Sequence, residues 1–198
     1  MAAAPFKRCA MLVQGKRMLM DSPIGIVGAG RIGQVLGRLL FERGQPVVAI
    51  AGRDVHRTAT AAAFIGPAVH PVSFSEIPEH CSRVLIAVPD DALDSVVNTL
   101  AKNMQGGEVL HTCGMRGTEV LAPLEVRGVS CAAMHPLQTV STPEQGLTSL
   151  PGAAFGITGS GSAATWALHI VELLGGEALQ ISPRQRPLYH AAAVMASN

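Results

Sequence analysis

The chain has 198 residues, 48% of them hydrophobic and 15% charged, which is enough to bury a sizeable core and unlike any disordered or fibrous composition. A formal net charge of +1, with no basic cluster beyond Lys16-Arg17, argues against an extended nucleic-acid surface. No window approaches the roughly 18 apolar residues of a membrane span, and the four cysteines (Cys9, Cys81, Cys113, Cys131) are scattered without a CxxC pair, as in a reducing, cytoplasmic setting.

Residues 1–22 mix charged and apolar positions, contain no signal-type apolar run, and are expected to be a disordered extension or to follow a misplaced start codon. From Pro23 onward, short β-branched runs alternate with helical patterns, the signature of βαβ units and a parallel sheet. The first strand is Ile24 to Val27. The helix from about Arg31 to Arg43 places Ile32, Val35, Leu36, Leu39 and Leu40 on one face, and Gly44 stops it. A second strand follows at Pro46 to Ala51, then a helix through Ala59–Ala63 and a weak strand near Ala68 to Val72. Arg83 to Val88 is the clearest later strand, and Asp90-Asp91 opens a helix to about Lys102 with acids that complement its dipole. Strands at Glu108–Thr112 and Val129–Met134 flank a short helix at Glu119–Leu124. The stretch from His135 to Gly152, rich in Pro, Thr and Gly, reads as a loop. Ala153–Thr158 reads as a last strand before the helix Ala163–Leu174, Ala178–Ile181 as extended, and a final helical stretch begins near Pro183. The expected fold class is α/β, a doubly wound, mainly parallel sheet over 23–182, followed at 183–198 by the beginning of a helical C-terminal domain.

Gly28-Ala29-Gly30-Arg31-Ile32-Gly33 follows the first strand directly and opens the first helix. In that context the spacing is a dinucleotide-binding fingerprint of the Rossmann type. Gly28 permits the tight turn, Gly30 admits the pyrophosphate, and Gly33 lets the helix approach the sheet. The pyrophosphate would rest on unpaired N–H groups at the helix start. The second strand ends Ala51-Gly52-Arg53-Asp54, small and neutral where an NAD site usually places an acid. Gly52 and Arg53 therefore favour NADP over NAD, with Arg53 on the 2′-phosphate. Asp54 could take the ribose role if the strand runs longer. Val88 and Pro89, at the end of the strand Arg83–Val88, would line the same crevice, whereas Asp90 could equally be a helix cap.

Hydride transfer also needs a proton donor or acceptor beside the reacting carbon's heteroatom. His111 and His135 stand at strand ends that should face the cofactor. His135 with Gln138 is the better substrate-facing pair. For His111 the preferred reading is a loop-ordering histidine, although it stays a candidate. Tyr189-His190 is a third polar pair on an otherwise apolar helix, where a satisfied core histidine is the commoner outcome. No HxxxH or CxxC spacing supports a metal site, and no basic neighbour activates Cys113.

The motifs Gly28–Gly33, Ala87-Val88-Pro89-Asp90-Asp91, His111-Thr112-Cys113-Gly114, His135-Pro136-Leu137-Gln138 and Tyr189-His190-Ala191-Ala192-Ala193 occur in the order found in a known family. Over 23–198 the chain resembles the bacterial Rossmann-like proteins whose second half is a domain of unknown function, numbered 2520. These belong to the 6-phosphogluconate dehydrogenase-like group, with pyrroline-5-carboxylate reductase and F420-dependent NADP reductase. The resemblance implies NAD(P) binding, an oxidoreductase role on an unassigned small-molecule substrate, and a helical domain that forms homodimers. Cys113 departs from the serine more common in that family, and the chain ends near the start of the family's long helix, as a C-terminal truncation would. The resulting expectation is an NADP-binding oxidoreductase, with a non-catalytic dinucleotide-binding sensor or scaffold as the alternative. A methyltransferase or flavin site would need the acid missing from the second strand.

Overall fold

The structure, a computed structural model, describes residues 22–197. The extension expected over residues 1–22 therefore lies almost wholly outside the described residues. Eight strands form one sheet: β1 (Ile24–Val27), β2 (Val47–Ala51), β3 (His70–Val72), β4 (Arg83–Ile86), β5 (Glu108–His111), β6 (Ser130–Pro136), β7 (Ala154–Gly159) and β8 (Glu177–Gln180). Their order is β3-β2-β1-β4-β5-β6-β7-β8. The first six run parallel, whereas β7 pairs antiparallel with β6 and carries β8 parallel to itself. The expected α/β class and mainly parallel sheet are what the chain forms.

Alternation along the strands explains the two layers of helices. Ile24, Ile26, Leu85 and Leu110 point to a core closed by α1 (Arg31–Glu42), α2 (Val55–Ile65) and α7 (Gly161–Leu173). Val27, Val84, Ile86 and Val109 point to a second core closed by α3 (Ile77–His80), α4 (Leu93–Asn103) and α5 (Ala122–Glu125). Strands covered on both faces read as continuous apolar runs, as β1 and β4 do.

Three expectations need correction. The segment expected as a loop from His135 to Gly152 holds α6 (Pro143–Ser149), which starts where the Thr142 hydroxyl accepts from the Gln145 N–H at 3.2 Å. Strand β6 runs on to Pro136, so His135 lies inside a strand, held by pairing with Gly156 of β7. Strand β4 stops at Ile86, two positions short of the expected end. A 3-10 turn at Pro183–Gln185 then leads into α8 (Arg186–Ser197).

At the N-terminal edge of the sheet, Arg83 of β4 and Glu108 of β5 form a buried ion pair at 2.5 Å, with the guanidinium 5.3 Å from the ring centre of Trp166.

Candidate active site

A cleft of about 840 Å³ opens where β1 and β4 part at the C-terminal edge of the sheet. Gly28, Ala29, Gly30, Gly52, Arg53, Val88 and Pro89 line it, as the sequence suggested. Gly28 has φ +119°, a backbone region that side chains disfavour, and a Cβ there would fall on the Ala87 carbonyl. A Cβ on Gly33 would likewise meet the Gly28 carbonyl, whereas one on Gly30 would meet nothing within 4 Å. Gly30 is the N-cap of α1, has no side-chain cap, and is followed by a first turn without an acid. The positive end of this helix is left to whatever fills the cleft.

Arg31, Ile32 and Gly33 are outside the lining. Arg31 turns outward to the Ser141 carbonyl at 3.3 Å, Ile32 packs against the core, and Gly33 is buried under the turn. Asp54, the alternative ribose ligand, caps α2 by accepting from the Arg57 N–H at 2.8 Å. Arg57 was missed from the sequence, although its place one helical turn beyond Arg53 could have shown it. Both arginines line the cleft, and neither guanidinium has a hydrogen bond or ion pair among the described residues. Phe74, Val96 and Thr99 complete the wall on that side.

A second polar cluster lies at the ends of β5, β6 and β7. His111 is fully buried: its Nε2 donates to the Gly117 carbonyl at 2.9 Å and its Nδ1 accepts from the Cys113 N–H at 3.2 Å. Both ring nitrogens are thus spent on ordering the turn, as the loop-ordering reading held. His135 meets Tyr189 of α8, with Nδ1 and the phenol oxygen 2.9 Å apart. Gln138 donates instead to the Thr139 carbonyl at 3.3 Å, and the described residues show no His135–Gln138 hydrogen bond. Arg186, only 1% exposed, donates to the carbonyls of Arg116 and Cys113 and, at 2.7 Å, to the Thr158 hydroxyl. It anchors the first turn of α8 and so places Tyr189 and His190, three and four positions on, over the sheet. Gly156 and Gly114 make room for them: a Cβ at either would collide with Tyr189 or His190. Asp90 begins a 3-10 turn without acting as its cap, and its carboxylate faces Cys113, His111 and His135. Among the described residues no group of three or more His, Cys, Asp or Glu could hold a metal, and no helix is long and apolar enough to cross a membrane.

The Rossmann-like domain model matches residues 13–136, more than half of the chain. The chain belongs to the Rossmann-like domain family. A second model, the domain of unknown function DUF2520, matches residues 153–198 of this Rossmann-like protein. No curated protein sequence matches it. Among solved structures, a protein from Bacteroides fragilis provisionally described as an NADP oxidoreductase is similar with TM-score 0.75 and 19% identity, over 90% of this chain and 66% of the other. Protein TM1727 from Thermotoga maritima gives TM-score 0.67 and 22% identity, over 88% and 63%. An imine reductase variant from Myxococcus stipitatus, in complex with NAD+, gives 0.71 and 15%, over 90% and 61%. At these identities the likeness is one of fold, and the Rossmann-like protein spans only 61–66% of these relatives' lengths.

Burial governs the titration of the second cluster. Loss of solvent, reinforced by the Arg186 charge, brings His111 down to about 4 against the opposing Gly117 hydrogen bond. His135 also falls to about 4, through burial and then the neighbouring His190 and Arg186. Burial raises Cys113 to about 11, which keeps it a thiol. For a histidine whose folded value lies below its unfolded value near 6.5, the unfolded chain binds the proton first as pH falls. Stability is therefore complete above about pH 6.5 and is lost as pH falls toward about 4. Urea unfolding followed between pH 7.5 and 4.5 is expected to lose on the order of 1 kcal/mol per pH unit for each histidine. A flat profile would mean that both protonate in the folded chain as readily as in the unfolded one.

Proposed function

We propose that this chain is the NADP-binding part of an oxidoreductase that acts by hydride transfer on a small-molecule substrate. The observation that carries the reading is the uncapped start of α1, which opens through Gly30 onto a cleft that Arg53 and Arg57 also line. When bound, the nicotinamide would donate or accept the hydride. The turn Gly28–Gly33 and the α1 backbone N–H groups would hold the pyrophosphate, and Arg53 and Arg57 the 2′-phosphate. Val88 and Pro89 supply apolar contact toward β4. His135, near the C-terminal end of β6, would handle the substrate proton. The exposed Leu188 and Met195 of α8 favour reading 183–198 as the start of a helical domain that pairs two copies.

NADPH and NADH titrations test the cofactor assignment. NADPH is expected to bind at least about tenfold more tightly than NADH, a difference of ~1.4 kcal/mol. The double variant Arg53→Ser, Arg57→Ala should erase that preference with little effect on NADH. Equal binding by the wild-type chain would remove the argument for NADP. If NADPH binds yet no member of a panel of imines, 2-oxo acids and aldehydes oxidises it, the chain is a dinucleotide-binding module without turnover.

A further inference from the structure

Gly52 follows β2 directly, lines the cofactor cleft and is pressed from two sides. A Cβ on it would fall on the Thr58 hydroxyl of α2 and would come within 3.0 Å of the Ala29 Cβ in the glycine turn. Gly52 is not among the glycines with positive φ, so space rather than backbone angle keeps a side chain away.

Thr58 is 2% exposed and does not itself line the cleft. Its Oγ1 donates to the Asp54 carbonyl at 2.6 Å, one turn back along the helix. Turning the hydroxyl aside would break that bond in the interior, so the obstacle is a fixed one. The Thr58 Cβ, by contrast, lies 3.6 Å from the Cβ that position 52 would carry, an ordinary contact. The hydroxyl is therefore the main obstruction.

The space it closes matters for chemistry. An NAD site places an acid at the end of the second strand, with its carboxylate on the ribose hydroxyls. The same carboxylate would repel a 2′-phosphate. Asp54, the next acid along the chain, is spent on capping α2.

We propose that Thr58 is a positioning residue for cofactor choice: it bars a side chain at position 52, shuts out the acid of an NAD site and leaves the ribose edge to Arg53 and Arg57. The assignment rests on the NADP reading and names the buried side chain that enforces it.

A double-mutant cycle tests the obstruction first. Gly52→Ala should lower the urea midpoint in the wild-type background and cost clearly less in a Thr58→Ala background. Equal cost in both backgrounds overturns the proposal. NADPH and NADH titrations then read the consequence. Gly52→Asp combined with Thr58→Ala should lower the ratio of NADPH to NADH affinity at least about tenfold below that of Thr58→Ala. Gly52→Asp alone should destabilise the chain without that change in ratio. If it shifts the ratio as far as the combined variant does, Thr58 bars nothing and the proposal falls. A wild-type preference for NADPH that the combined variant keeps sinks this inference alone. Equal binding of NADPH and NADH by the wild type sinks the NADP reading, and the role of Thr58 in cofactor choice with it.

Discussion

Gly30→Ala is expected to leave the fold intact and to weaken NADPH binding by about tenfold or more, ~1.4 kcal/mol or above. The position has extended backbone angles, φ −82° and ψ −179°, and its Cβ would meet no protein atom within 4 Å. Only a ligand resting on the start of α1 would be displaced. Gly33→Ala provides the opposite case, because its Cβ would strike the Gly28 carbonyl beneath the helix. That overpacking should cost roughly 1–3 kcal/mol of stability, read as a lower urea midpoint. Unchanged NADPH affinity in Gly30→Ala would refute the pyrophosphate site. Equal stability of the two variants would show that the turn yields more readily than its geometry implies.

Glu108→Ala is expected to be the most damaging single change away from the cleft. Side chains of Arg83 and Glu108 are 5% and 7% exposed, so removal of the carboxylate strands a buried guanidinium. Loss of one partner of such a pair costs roughly 3–5 kcal/mol. Trp166, the chain's single tryptophan, lies against Arg83 and makes fluorescence a direct readout of unfolding. The double variant Arg83→Met, Glu108→Leu removes both charges and should recover much of the loss. A cost below about 1 kcal/mol for Glu108→Ala would place solvent beside the pair.

Local pattern was enough for the first βα unit of the molecule. Strand β1, the glycine turn and the apolar stripe of α1 are contiguous in the chain, and each obeys a period visible over a dozen residues. The helix at Pro143–Ser149 was hidden by loop-like composition, although Thr142 before Pro143 is a start signal. The antiparallel turn of β7 left no trace, since direction depends on how the intervening chain packs. His135 was expected just past a strand end and lies within β6, its partner Tyr189 is 54 positions away, and sequence proximity favoured Gln138 instead. The burial of Arg186 was equally illegible, because its acceptors are two main-chain carbonyls and a threonine hydroxyl from distant strands.

The position of β1 in the sheet bears on how the chain acquires its structure. This strand pairs with β2 on one side and with β4 on the other. During synthesis, then, this apolar strand keeps one edge unpaired until residues 83–86 have followed it. Through that interval the exposed edge can template pairing with other nascent chains. Folding should consequently be slow relative to helical proteins of similar size, and recovery from denaturant should fall as protein concentration rises.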